Sequence, residues 1–163
     1  RTGKLFAYQN FGIKPDMMTL GKGLGGGLPL SAVVISKNIE GVYTVGDHGT
    51  TMGGNPVACA AGYAALARIN KKPVLKQVVE KGAFMVKALK ALDNPAIKDV
   101  RGMGLIIGVE LKSDAASDAA AKAFKNGVII NACKPNVLRL VPPLIISKKQ
   151  MEQAVKAIDK ALY

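Results

Sequence analysis

Between Leu20 and Pro29 the chain reads Leu-Gly-Lys-Gly-Leu-Gly-Gly-Gly-Leu-Pro, and these five glycines around one lysine constrain the fold more than any other stretch. Short apolar runs flank it. Asp16 to Leu20 and Ser31 to Ser36, the second rich in β-branched residues, read as strands, so the segment is expected to be strand, loop, strand. Backbone this rich in glycine is used where another group approaches closely. A phosphate-binding P-loop places its lysine after the glycines and leads into a helix; here Lys22 comes first and Pro29 leads into a strand, which disfavours that reading.

Beyond the loop the patterns alternate. Asn55 is a good N-cap, Pro56 suits the first helical position, and an Ala-rich helix is expected over Val57 to Ile69. Asn70 to Pro73 breaks it. A second helix, about Val74 to Leu92, sets Leu75, Val78, Val79, Val86 and Leu89 against lysines on the opposite face. Met103 to Leu111 reads as one strand, followed by a helix capped by Ser113 that stops before Gly127. Val128 to Asn131 and Val137 to Val141 read as strands around a turn at Pro135-Asn136. The last helix begins with a capping box, Ser147 and Gln150, and carries the stripe Met151, Ala154, Val155, Ile158 and Leu162. The second helix reads as a connecting helix, and from Pro95 onward the pattern is a compact α+β part that could form a domain of its own.

With 49% hydrophobic residues, 21% charged residues and a mean hydropathy of +0.20, the chain has the apolar surface for a packed fold. No run of about 18 apolar residues suggests a membrane span, so a soluble protein is expected. Cys59 and Cys133 form no disulfide framework and are expected to be small core residues, which favours a reducing compartment, the cytoplasm. The net charge of +12 raises a second possibility, a basic nucleic-acid-binding module. Residues 1–70 carry 6 basic and 3 acidic side chains, and residues 71–163 carry 17 and 8, so the excess is C-terminal. Its lysines fall on polar helix faces and aromatic residues are only 5%, which favours a solvated surface over a nucleic-acid interface.

Two places carry chemistry. Lys22 has no carboxylate near it in sequence, so a sheltered site would lower its basicity and suit it to Schiff-base formation with a carbonyl; the alternative is a surface lysine on a flexible loop. The segment from Gly46 to Pro56 puts Thr50, Thr51 and several glycine amides just ahead of a helix N-terminus, which suits an anion such as phosphate. An ordinary capped loop is the alternative. His48 is the sole histidine, so a multi-histidine metal site is excluded and no metal is expected.

The order Gly3-Lys4-Leu5-Phe6-Ala7, Lys14-Pro15-Asp16, Gly21-Lys22-Gly23-Leu24-Gly25-Gly26-Gly27, His48-Gly49-Thr50-Thr51-Met52-Gly53-Gly54-Asn55-Pro56 resembles the class III pyridoxal-phosphate aminotransferases over essentially the whole chain. Within that family it is most similar to the members acting on N-acetylornithine. The resemblance implies an α/β, fold type I architecture, with a large α/β domain that holds pyridoxal 5'-phosphate, a small α+β domain, and a homodimer whose active sites lie at the subunit interface; residues 1–70 would be the end of the large domain, and 71–163 the linking helix and small domain. It implies that Lys22 links covalently to the cofactor and shuttles a proton, that Thr51 binds cofactor phosphate across the dimer interface, and that Thr50 contacts substrate. Arg139 matches an arginine that pairs with a glutamate or a substrate carboxylate, with a plain outward charge on an alternating strand as the alternative.

The implied reaction moves the δ-amino group of N-acetylornithine to 2-oxoglutarate, a step of arginine biosynthesis. Related amino donors are the alternatives: ornithine, succinylornithine, 4-aminobutyrate or an acetyl-lysine type. The family's aspartate for the pyridine nitrogen, its same-subunit phosphate loop, its ring-stacking aromatic residue and its N-terminal carboxylate-binding arginine find no match here. Met52 stands where relatives often carry an aromatic residue. The chain is therefore expected to be the C-terminal portion of such an enzyme and inactive alone.

Overall fold

What approaches the glycine run is a helix. In the computed structural model, which describes all 163 residues, the chain divides into two compact units, Leu5–Lys72 and Arg1–Lys4 with Pro73–Tyr163. In the first unit, β1 (Met17–Leu20) pairs antiparallel with β2 (Ala32–Ile35), Met17 opposite Ile35 and Leu20 opposite Ala32. The glycine run between them forms a 3-10 turn over Lys22–Gly25 that packs on α1 (Pro56–Ile69). A Cβ on Gly26 would lie 3.3 Å from the Ala65 Cβ, and one on Gly62 of α1 would lie 3.2 Å from the Leu24 carbonyl oxygen and 2.5 Å from Leu30 Cδ2. Loop and helix therefore approach closely: a Cβ at Gly62 would clash with Leu30, and one at Gly26 would be tight against α1. As the sequence suggests, Asn55 caps α1: its side-chain oxygen accepts from the Ala58 N–H at 2.9 Å, with Pro56 at the first position.

The second unit is a four-stranded antiparallel sheet with helices. Its sheet order is β3 (Ile97–Met103), β4 (Ile106–Leu111), β6 (Val137–Leu140), β5 (Asn131–Lys134), and its helices are α2 (Lys72–Lys90, packed here from Pro73 on), α3 (Ala116–Lys125) and α4 (Lys148–Ala161). Ile107, Val109 and Leu111 alternate inward along β4 and meet Leu138 and Leu140 of β6, Met85 and Leu89 of α2, and Met151, Val155 and Ile158 of α4. This is the period of two expected of a strand with one buried face.

Four local expectations change. Met103 to Leu111 is the turn and second strand of a hairpin, because Gly104 takes a positive φ of 54° and reverses the chain. Ser113 does not cap α3; the Ala116 N–H at the helix start is taken instead by the Pro135 carbonyl at 2.9 Å, a tertiary partner replacing a local one. Val128 stays tied to α3 through the Ala123 carbonyl, so β5 begins only at Asn131. Cys59 and Cys133 are exposed, not core residues. The capping box of α4 forms as expected, Ser147 and Gln150 each accepting the other's backbone N–H.

The first four residues, assigned from sequence to the N-terminal domain, lie with the second unit. Gly82 of α2 faces the Gly104 turn so closely that a Cβ there would fall 2.1 Å from the Gly104 oxygen. On its other side Gly104 meets Arg1 and Thr2, and the Arg1 carbonyl accepts from the Leu105 N–H at 2.8 Å.

Candidate functional site

Lys22 opens the glycine turn with φ at 52°, one of two non-glycine residues at positive φ; the other is Asp93, a residue type that tolerates it. A lysine in the left-handed region costs of order 1 kcal/mol and persists only where its surroundings over-determine it. Here they do. Gly21 and Gly23 flank it, the Leu24 N–H donates to Gly21 and the Gly26 N–H to Gly23, and buried Gly25 anchors the turn against Leu30. The side chain itself is exposed in this chain, so the shelter expected around a reactive amine is not supplied by these residues.

Thr50 and Thr51 lie in the same unit, ahead of α1, and both are exposed. The Thr50 hydroxyl accepts from the Gly53 N–H at 3.1 Å, folding its methyl group against a position where a Cβ would fall 2.3 Å away; Gly53 is required by that turn. The hydroxyl proton of Thr50 remains available to donate. At the helix start Pro56 has no N–H and Asn55 takes that of Ala58, so Val57 is left with a free donor. Of the amides in this segment, those of Gly53 and Ala58 are thus taken by side chains of the chain itself. Upstream, the Thr44 backbone N–H and hydroxyl both donate to Asp47 and hold its carboxyl below the usual range.

Arg139 lies in the other unit. It stands in a row across the outer face of the sheet, opposite Gly108 on one side and Asn131 on the other, with Arg101 beyond Gly108. The two arginines differ in one respect. Arg101 pairs with Asp99 and Glu110, whereas Arg139 is exposed and has no acidic partner. The glutamate pairing that the resemblance offered is therefore not made within this chain. Arg139 also lines a cavity of about 900 Å³ whose walls include Ile129, Ile130, Val141 and Ile145, apolar surface around a free guanidinium.

The family model for class III aminotransferases matches residues 1–162. This chain belongs to that family. It is 44% identical to the acetylornithine aminotransferase of Caldanaerobacter subterraneus subsp. tengcongensis, over 99% of this chain and 42% of that protein. It is also 44% identical to the [LysW]-aminoadipate semialdehyde transaminase of Deinococcus radiodurans, over 99% of this chain and 38% of that protein. Among solved structures it resembles the acetylornithine aminotransferase of Elizabethkingia anophelis, with a TM-score of 0.89 and 35% identity, covering 99% of this chain and 42% of that one. The chain thus spans about two fifths of the length of these relatives, and its fold is the corresponding part of theirs. The family uses pyridoxal phosphate.

Sequence reasoning missed two parts of this arrangement. It saw that something approaches the glycine run but not that the partner is α1, although Gly62 in an otherwise Ala-rich helix marks the place. It also missed the hairpin at Gly104, because an apolar run that spans a turn looks like one strand.

Proposed function

We propose that the protein carrying this chain is a pyridoxal-phosphate-dependent aminotransferase that moves the δ-amino group of N-acetylornithine to 2-oxoglutarate, with Lys22 as its catalytic lysine. The observation that carries the reading is Lys22 held at positive φ by a glycine turn locked onto a helix, within a chain matched to the family along almost its whole length. Residues 5–72 then belong to the cofactor-binding domain and the remainder to the small domain and its linking helix.

The residues present fit the cofactor. An amine on a fixed backbone suits its aldehyde, and hydroxyls ahead of a helix suit its phosphate. When bound, pyridoxal phosphate supplies an electron sink for charge developing on the substrate carbon. Lys22 would hold the cofactor through Nζ and, when that nitrogen is free, would move a proton with it. Thr51 donates its hydroxyl to the phosphate, from across the interface of a homodimer. Thr50 donates to substrate with the proton its own turn leaves free. Arg139 holds a substrate carboxylate by paired N–H donors, a role open to it because no acid of this chain occupies it. Shelter for Lys22 comes from the bound cofactor and from polypeptide beyond these residues.

The acetylornithine and aminoadipate-semialdehyde relatives are equally identical to this chain, so the amino donor is the least constrained part of the proposal. A substrate panel run on the enzyme containing this chain tests it. N-acetylornithine with 2-oxoglutarate should give the highest kcat/KM, and Lys22→Ala should reduce turnover at least about a thousandfold. Preference for ornithine or a lysine-derived donor would replace the substrate, and full activity in Lys22→Ala would remove the mechanism.

A further inference from the structure

The segment Val141–Ile146, between β6 and α4, forms one wall of the Arg139 cavity and contains Pro142 and Pro143. Two prolines in succession have no N–H, so the segment cannot join a ladder, and its carbonyls need donors from elsewhere. Two cationic side chains provide them. Lys81, half-buried on α2, donates from Nζ to the Leu144 carbonyl at 2.9 Å, and Arg1 donates from Nη1 to the Pro142 carbonyl. Both donors sit on firm supports within the same unit. Lys81 precedes Gly82, where α2 touches the Gly104 turn, and the Arg1 backbone is held by the Leu105 N–H on the other side of that turn. The Ile146 N–H closes the segment on the Pro143 carbonyl at 3.0 Å, just before the Ser147 cap of α4.

We infer that Lys81 and Arg1 are positioning residues for Arg139: by holding the Leu144 and Pro142 carbonyls they fix the turn that follows its strand, and so the wall against which a carboxylate substrate is held. The inference rests on the proposed role of Arg139. Neither side chain has to touch substrate. A charged donor on an isolated carbonyl is a strong tie, and a wall displaced by a fraction of an ångström misplaces the carboxylate relative to the guanidinium.

The test uses the complete enzyme containing this chain, loaded with pyridoxal phosphate. KM and kcat for 2-oxoglutarate are measured alongside hydrogen exchange at the Ile146 amide. Lys81→Met keeps the alkyl stem and removes the donor; it should raise KM about fivefold with kcat within about twofold, and speed exchange at Ile146. Lys81→Arg should restore both. Arg1→Gln, on an exposed side chain, should raise KM about twofold and keeps the test valid if Lys81→Met misfolds. Unchanged KM in Lys81→Met and Arg1→Gln, with KM raised in Arg139→Ala, would overturn the inference and spare the arginine. Unchanged KM in Arg139→Ala would overturn the role of the arginine and the inference with it. Faster exchange without a KM change would also overturn it, by showing a tie that never reaches the substrate.

Discussion

The two units bury their apolar residues very differently. In Pro73–Tyr163 the sheet and helices close over a continuous core in which Leu89, Ile107, Val109, Leu138 and Ile158 are fully buried. In Leu5–Lys72 the residues buried to the same class are Gly25, Ala58 and Gly62, none of them large, while Val33 is 59% exposed, Val57 70% and Tyr63 79%. The Pro73–Tyr163 unit closes a core of its own. The Leu5–Lys72 unit carries Lys22, Thr50 and Thr51 but leaves large apolar side chains uncovered, as expected of a surface that meets other polypeptide. The main core and the candidate lysine thus lie in different parts of the chain. What is rigid in the Leu5–Lys72 unit is rigid locally, through glycine contacts and caps, and Lys22 sits at such a place.

The sharpest way to break this comparison is to cut matched side chains from the two units. Leu138→Ala should destabilise the Pro73–Tyr163 unit by about 3 kcal/mol, because a fully buried leucine leaves a cavity among packed neighbours. Val33→Ala, on an exposed face of β2, should cost less than about 0.5 kcal/mol in this chain. Urea unfolding followed by amide exchange separates the two values, and similar costs would end the distinction between the units.

A smaller effect sharpens it. Gly82→Ala would ordinarily favour a helix, yet its Cβ would meet backbone atoms of Gly104 at 2.1 and 2.5 Å, which cannot move aside as a side-chain end can. A loss of about 2 kcal/mol is expected, read as a lower urea midpoint at unchanged slope. A neutral or stabilising alanine would show that the α2–hairpin contact yields.

The smallest effect is electrostatic. Hydrogen bonds from Lys98 at 2.7 Å and then Arg101 hold the Glu110 carboxyl below its ordinary range. A depressed folded-state value means a contribution present above the unfolded carboxylate range and lost as pH falls through the folded value. Glu110→Gln should therefore flatten the acid limb of the stability curve for this unit and leave neutral pH little changed, since surface pairs contribute modestly. A steeper acid limb in the variant would contradict the assignment.

Much of this was readable in the residues. The Asn55-Pro56 start of α1 and the Ser147–Gln150 box are local hydrogen-bond patterns, so sequence alone locates them. The family motifs single out Lys22, Thr50, Thr51 and Arg139 as candidates. What escaped was non-local. Ala116 finds its partner on Pro135, Arg1 reaches Pro142 across the unit, and Cys59 and Cys133 are exposed because burial depends on what packs over a strand or helix, not on the residue's own character. The exposure of Lys22, where shelter was expected, is another such property. It depends on groups that neighbouring sequence does not name.

The most direct measurement is borohydride reduction of the pyridoxal-phosphate-loaded enzyme containing this chain, followed by peptide mass mapping. The account predicts a pyridoxyl group on Lys22 and on no other lysine of the chain. A label on a different lysine in active enzyme, or full activity with Lys22 unlabelled, would contradict it.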